Sequence, residues 1–110
     1  MTTVTLDILP SGHISGFCSK GHAGYAESGS DIVCAAISAI LQTAYCGLTQ
    51  VAGLFVGLEM KDGEMTVILE RELSEQERHD ADVILETMRQ GLLSLKEAYP
   101  GYLNIDERRC

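Results

Sequence analysis

Two residues twelve positions apart offer this chain its clearest route to chemistry: His22, in Gly21-His22-Ala23-Gly24-Tyr25, and Cys34, in Asp31-Ile32-Val33-Cys34-Ala35-Ala36-Ile37-Ser38. A thiol becomes a strong nucleophile once ionised, and an imidazole within reach can take its proton and later return it to a leaving group. Cys34 falls in the first turn of an apolar segment that reads as a helix, where unpaired amides and the positive end of the helix dipole favour a thiolate. The competing reading is a small buried hydrophobe, since cysteine often fills apolar helices. His22 lies in a glycine-flanked loop that feeds the same helix terminus, although a loop histidine is commonly just a solvated polar residue.

Two further side chains bear on this pair. Asp31 is suited to cap the helix, its carboxylate accepting from the orphan amides of the first turn, or to orient the histidine as a third group. Ser38, one turn beyond Cys34 on the same face, is placed either to donate to the sulfur or substrate or to bond back into its own helix. The other candidates are weaker. Cys18 falls in a strand, and Cys46 lies about 120° around the helix from Cys34, so both read as core thiols. Cys110 reads as a free terminal thiol, and His13 and His79 as solvent-exposed. The four cysteines form no Cys-x-x-Cys pair, and no Walker or Gly-x-Gly-x-x-Gly string occurs, so no metal, nucleotide or other cofactor is expected.

The elements that must position these residues are legible as pattern. Val4, Leu6 and Ile8 alternate with polar residues over positions 3–9, the period of a half-buried strand. The turn residues Pro10, Ser11 and Gly12 separate it from a second strand over 14–19. Positions 20–30 read as a glycine-rich loop. The helix predicted over 32–51 is apolar nearly all round, so cover on most sides is expected. Strands over 54–60 and 65–70 flank Asp62-Gly63, a hairpin signal. Ser74-Glu75-Gln76-Glu77 fits a capping box that opens an amphipathic helix with Ala81, Ile84, Leu85, Met88, Leu92 and Leu95 on one face. Pro100-Gly101 ends that helix, and a closing strand over 102–106 comes after it. The order ββαββαβ predicts an α+β fold, a mainly antiparallel sheet carrying two helices, the first buried.

Composition bounds the function. The chain has 110 residues, 45% of them hydrophobic, and no Pro/Gly/Ser linker or internal repeat. One domain over 1–110 is therefore expected. A net charge of −8 argues against a nucleic-acid groove, which needs clustered Lys and Arg, and favours a neutral or basic partner. From Glu59 onward thirteen carboxylates face seven basic residues, a pattern of solvated acidic faces. The amino-terminal stretch lacks the features of a secretory signal. The apolar run over 32–60 is broken by Gln42, Thr43, Thr49, Gln50 and glycines, so a core helix rather than a membrane span is expected. A cytoplasmic location is the resulting expectation.

The string running from Gly21 to Tyr25, with Asp31 to Ser38 after a short loop, resembles the signature of the bacterial ribosomal-processing cysteine protease family, Prp. Ile37 stands where family members commonly carry valine; His22 and Cys34 match. The resemblance implies an endopeptidase that removes a short N-terminal extension from a large-subunit ribosomal protein. It also implies that His22 and Cys34 form the catalytic pair, that the loop over 23–30, with Gly21, Ala23, Gly24 and Tyr25 at its start, borders the substrate cleft, and that the protein is a homodimer. On this reading the backbone amides of the first helical turn, at Cys34 or its neighbours, are candidate oxyanion donors. Two other classes stay open at this point: a non-catalytic ribosome-associated peptide-binding module and a thiol redox sensor.

Overall fold

The computed structural model describes residues 1–27, 30–69 and 72–109. Its order is β1 (Thr2–Ile8), β2 (Ile14–Lys20), α1 (Ile32–Cys46) with a π-helical continuation (Gly47–Val51), β3 (Val56–Lys61), β4 (Glu64–Leu69), α2 (Glu75–Ala98) and β5 (Leu103–Arg109). The alternation read in the first segment is realised in β1, where Thr2, Val4, Leu6 and Ile8 are buried and the intervening residues are half-exposed. The five strands form one sheet in the order β3-β4-β2-β1-β5. Both hairpins are antiparallel, and so is the β2–β4 pairing that joins them. The closing strand β5 runs parallel to β1, Thr2 opposite Leu103 and Ile8 opposite Arg109. This is the α+β architecture expected, with one parallel pair at the edge.

Register decides which side chains meet across the sheet. Phe17 and Ser19 on β2 sit opposite Leu6 and Val4 on one side and Val67 and Met65 on the other. These residues therefore share one face of the sheet, and Phe17, Leu6, Val4 and Val67 are fully buried on it with Val33, Leu85, Leu92 and Leu103. Each such aliphatic or aromatic side chain contributes about 1.5–3 kcal/mol on leaving water. Gly16 lets the central strands approach closely: a Cβ there would stand 2.5 Å from the Val67 carbonyl oxygen.

α1 differs from the expectation in how it is covered. Val33, Ile37, Leu41 and Ala44 form a single buried stripe, while Ala35, Ser38, Ala39, Gln42, Thr43 and Cys46 are exposed. A single sheet and one neighbouring helix cover one side of a helix, so an apolar composition all round does not bring cover all round. Ile32–Val51 has the length and hydropathy of a bilayer span, yet in the fold it packs by this stripe. Cys46, expected in the core, is exposed. α2 begins as its capping box dictates: Ser74 Oγ accepts from the Glu77 amide, and Glu77 accepts from the Ser74 amide. His13, expected in solvent, is half-buried and pairs with Asp82 at 2.8 Å, tying the first hairpin to α2. His79 is exposed as expected. Cys110, Ser28 and Gly29 of the loop, and Glu70 at the end of the expected fourth strand lie outside the described residues.

Candidate active site

The site is assembled where β2 ends and α1 begins. After Lys20 the chain turns through Gly21, whose φ of +90° is a conformation side chains rarely adopt. A Cβ on Gly21 would also stand 2.9 Å from the Met1 carbonyl oxygen. The Gly21 amide donates to the Gly63 carbonyl at 2.9 Å, so the β3–β4 turn supports the base of the loop. His22 comes next, exposed, with its Nε2 edge against Gly63. Ala23 turns inward and is 3% exposed. Its amide donates to Cys34 Sγ at 3.0 Å.

Asp31 organises the other side. Its Oδ1 accepts from the Val33 and Cys34 amides, each at 2.9 Å, which is the N-cap read from the sequence. Its Oδ2 accepts from the Tyr25 and Ala26 amides at 2.9 and 3.2 Å. One carboxylate thus fastens the loop to the helix it precedes. All four bonds go to backbone amides, so the competing role of orienting His22 has no contact behind it among the described residues. The bonds to Val33 and Cys34 also carry a correction: these first-turn amides, expected as oxyanion donors, are occupied by Asp31. Burial pushes the Asp31 carboxyl up, but the four amides outweigh it, and the carboxyl is held below the ordinary aspartate range.

That shift has a definite sign. A carboxyl depressed in the folded state stabilises the fold fully above its unfolded pKa, about 3.9 for aspartate, and loses that contribution as pH falls through the lower folded value. Asp31→Asn is therefore expected to lower the melting temperature at pH 7, since the amide NH2 that replaces one carboxylate oxygen cannot accept from the Tyr25 and Ala26 amides. The gap to wild type should narrow on acidification below about pH 4, as thermal melts of both proteins across that range will show.

His22 and Cys34 line the same two cavities. One, of about 200 Å³, continues past Ser38 and Gln42 on α1 to Met60 and Lys61 on β3. The other, of about 330 Å³, is bounded by Gly24, Ala26, Asp31 and Ser38. Imidazole and sulfur make no hydrogen bond to each other in this arrangement, where Sγ instead accepts the Ala23 amide. Catalytic contacts of this kind commonly tighten only when substrate is bound. Ser38 faces both cavities and, among the described residues, makes no back-bond into its helix. Tyr25 anchors the loop by edge-on ring contacts with Tyr99 and Tyr102, centroids 5.5 and 5.2 Å away. Sequence reasoning missed these two partners and the Met60–Gly63 wall. The Asp62-Gly63 turn was visible, but nothing local says that it meets His22.

The remaining thiols stand apart. Cys18 is half-buried and accepts from Thr66 Oγ1 at 3.3 Å. No cluster of His, Cys, Asp or Glu suited to a metal occurs among the described residues. A larger groove of about 560 Å³ lies between α1 and α2, lined by Ala39, Ile40, Thr43, Val51, Val83 and Ile84, away from the sulfur.

Comparison with known proteins finds the same fold and a matching family. Curated protein sequences contain no match to the chain. Among solved structures, the ribosomal processing protease Prp from S. aureus with a covalently linked product peptide superposes with a TM-score of 0.87 at 24% identity, covering 98% of this chain and 100% of that one. The same S. aureus protease with a substrate peptide gives 0.82 at 24% identity, with the same coverage. SMU.848 from Streptococcus mutans gives 0.82 at 26% identity, covering 100% of this chain and 96% of that one. The family model described as cysteine protease Prp matches residues 1–104. With its fold shared and all but the last few residues matched, the chain belongs to the cysteine protease Prp family.

Proposed function

We propose that residues 1–110 act as one cysteine endopeptidase domain that removes the short N-terminal extension of a bacterial large-subunit ribosomal protein, with Cys34 as nucleophile and His22 as its base. The observation that carries this reading is the shared cavity: an exposed imidazole and a half-buried thiol open onto the same space, at the entrance of a helix whose cap binds the Cys34 amide. His22 takes the Cys34 proton, and the thiolate forms a bond to the scissile carbonyl carbon. The tetrahedral adduct expels the amine, which receives the proton from His22, and water then hydrolyses the thioester to regenerate Cys34. The peptide covalently linked to the S. aureus protease supports covalent chemistry of this kind. The loop from Gly21 through Gly24 and Tyr25 borders the peptide, and Ser38, facing both cavities, is placed to donate to it.

The acidic surface, −8 overall, suits a basic ribosomal protein as partner and argues against direct nucleic-acid binding. The mechanism needs Cys34 as a free thiol, a state that a reducing compartment such as the cytoplasm maintains. Homodimerisation is part of the proposal; the apolar groove between α1 and α2, with Val51 and Val83 exposed beside it, supports it. The test is intact-mass spectrometry of a large-subunit ribosomal protein carrying its N-terminal extension, before and after incubation with this protein. A mass loss equal to an N-terminal segment is expected. An unchanged mass would overturn the proposal and favour a peptide-binding module.

A further inference from the structure

Many of the backbone amides around Cys34 are committed to acceptors away from the sulfur. Val33 and Cys34 donate to Asp31 Oδ1, Ala35 donates to the Asp31 carbonyl, Tyr25 and Ala26 donate to Asp31 Oδ2, and Gly21 donates to Gly63. Turning any of these towards a substrate would break a bond that holds the helix start or the loop in place. The Ala23 amide differs from these, because its acceptor is the reacting atom itself, Cys34 Sγ at 3.0 Å. Two features hold it there. Ala23 is 3% exposed and packs in the core cluster, so its peptide plane is set by packing. The bond is partly buried, and a donor withdrawn from water without an acceptor is costly.

We propose that the Ala23 N–H is a catalytic hydrogen-bond donor of this site, stabilising negative charge first on the Cys34 sulfur and then on the oxygen of the carbonyl that the sulfur attacks. The proposal rests on the protease reading above and deepens it. As the S–C bond forms, the electron pair of the C=O bond moves to oxygen, which is then two bonds from the sulfur and within reach of the same N–H. When the C–N bond breaks, that pair re-forms the carbonyl, and the leaving nitrogen takes the proton held by His22. One donor fixed by packing can track the charge through both stages without rearranging the loop, which is the condition under which such donors act most strongly.

The test is to remove the N–H and nothing else. L-lactate in place of Ala23, introduced into the full chain by nonsense suppression, converts that amide to an ester and keeps the methyl group in the core. The expected result is a kcat lower by about 100-fold, a KM within about threefold of wild type, and alkylation of Cys34 by iodoacetamide at neutral pH slowed roughly tenfold. Unchanged kcat and alkylation in the folded ester protein would overturn the proposal. A second measurement serves if the ester protein fails to fold: 1H–15N spectra of the wild-type chain with and without a peptide aldehyde, whose adduct with Cys34 carries the tetrahedral oxygen. A downfield shift confined to the Ala23 amide is expected, whereas a shift at Val33 or Cys34 with Ala23 unmoved would overturn it. The iodoacetamide comparison needs no peptide cleavage, so failure of the protease reading and failure of the donor assignment remain distinguishable.

Discussion

Cys34→Ala is expected to abolish peptide cleavage, with a loss on the order of 10⁴-fold or more, the scale seen when a covalent nucleophile is removed. The other described thiols offer no replacement. Cys18 is engaged by Thr66 on the sheet, and Cys46 lies at the far end of α1. The fold should survive, because alanine is a good helix former and Cys34 is only half-buried. One cost is specific: the Ala23 amide loses its acceptor, worth about 1–3 kcal/mol for an unpaired buried donor. Cys34→Ser should recover much of that stability without recovering turnover. Rates measured on an extended ribosomal protein or its N-terminal peptide, with thermal melts of the three proteins, separate the two effects. Substantial turnover by the alanine protein would remove Cys34 from the mechanism.

His22→Ala is expected to lower kcat by about 10²–10⁴-fold, the range for losing a general acid–base group, while KM changes little. Because His22 is exposed and forms no hydrogen bond among the described residues, stability should move by no more than about 0.5 kcal/mol. Added imidazole should restore part of the rate, since the cavity that His22 lines opens to solvent and a free base can occupy the vacated space. A protein that keeps full kcat without His22 would show that another group takes the proton. The two substitutions should also be far from additive: once the sulfur is gone, removing the imidazole should cost almost nothing more, as for groups acting as a unit.

What the sequence disclosed was mostly local. The Ser74–Glu77 box, the Asp62-Gly63 turn and the Asp31 cap each depend on residues within a few positions of one another, and each appears where its chemistry requires. The strand alternation of β1 was legible because one face of that strand meets the core. Long-range pairing was not: nothing in 102–106 says that this strand runs parallel beside β1, since that register is set by sheet assembly. The apolar helix misled for a similar reason. Its composition signals contact with apolar surface without saying how many faces receive it, so the exposure of Ser38, Gln42 and Cys46 emerges only once the single sheet is in place. At the site, the Gly21–His22 and Cys34 strings marked the residues themselves. The sulfur's bond to Ala23 and the reach of Asp31 across to Tyr25 and Ala26 depend on the path of a glycine-rich loop, which carries no periodic signal.

The position of the first residues has a practical consequence for anyone handling the protein. Thr2 lines the smaller cavity and bonds through Oγ1 to the Gly21 carbonyl, while the Met1 carbonyl leaves no room for a side chain at Gly21. Arg109, at the last described position, sits opposite Ile8, at the other end of β1. Substitution at Thr2 would therefore alter the cavity wall directly, so tests of the site are best read with this residue kept. A reporter carried near Arg109 would sit a full strand length from the Thr2 end of β1 and its cavity.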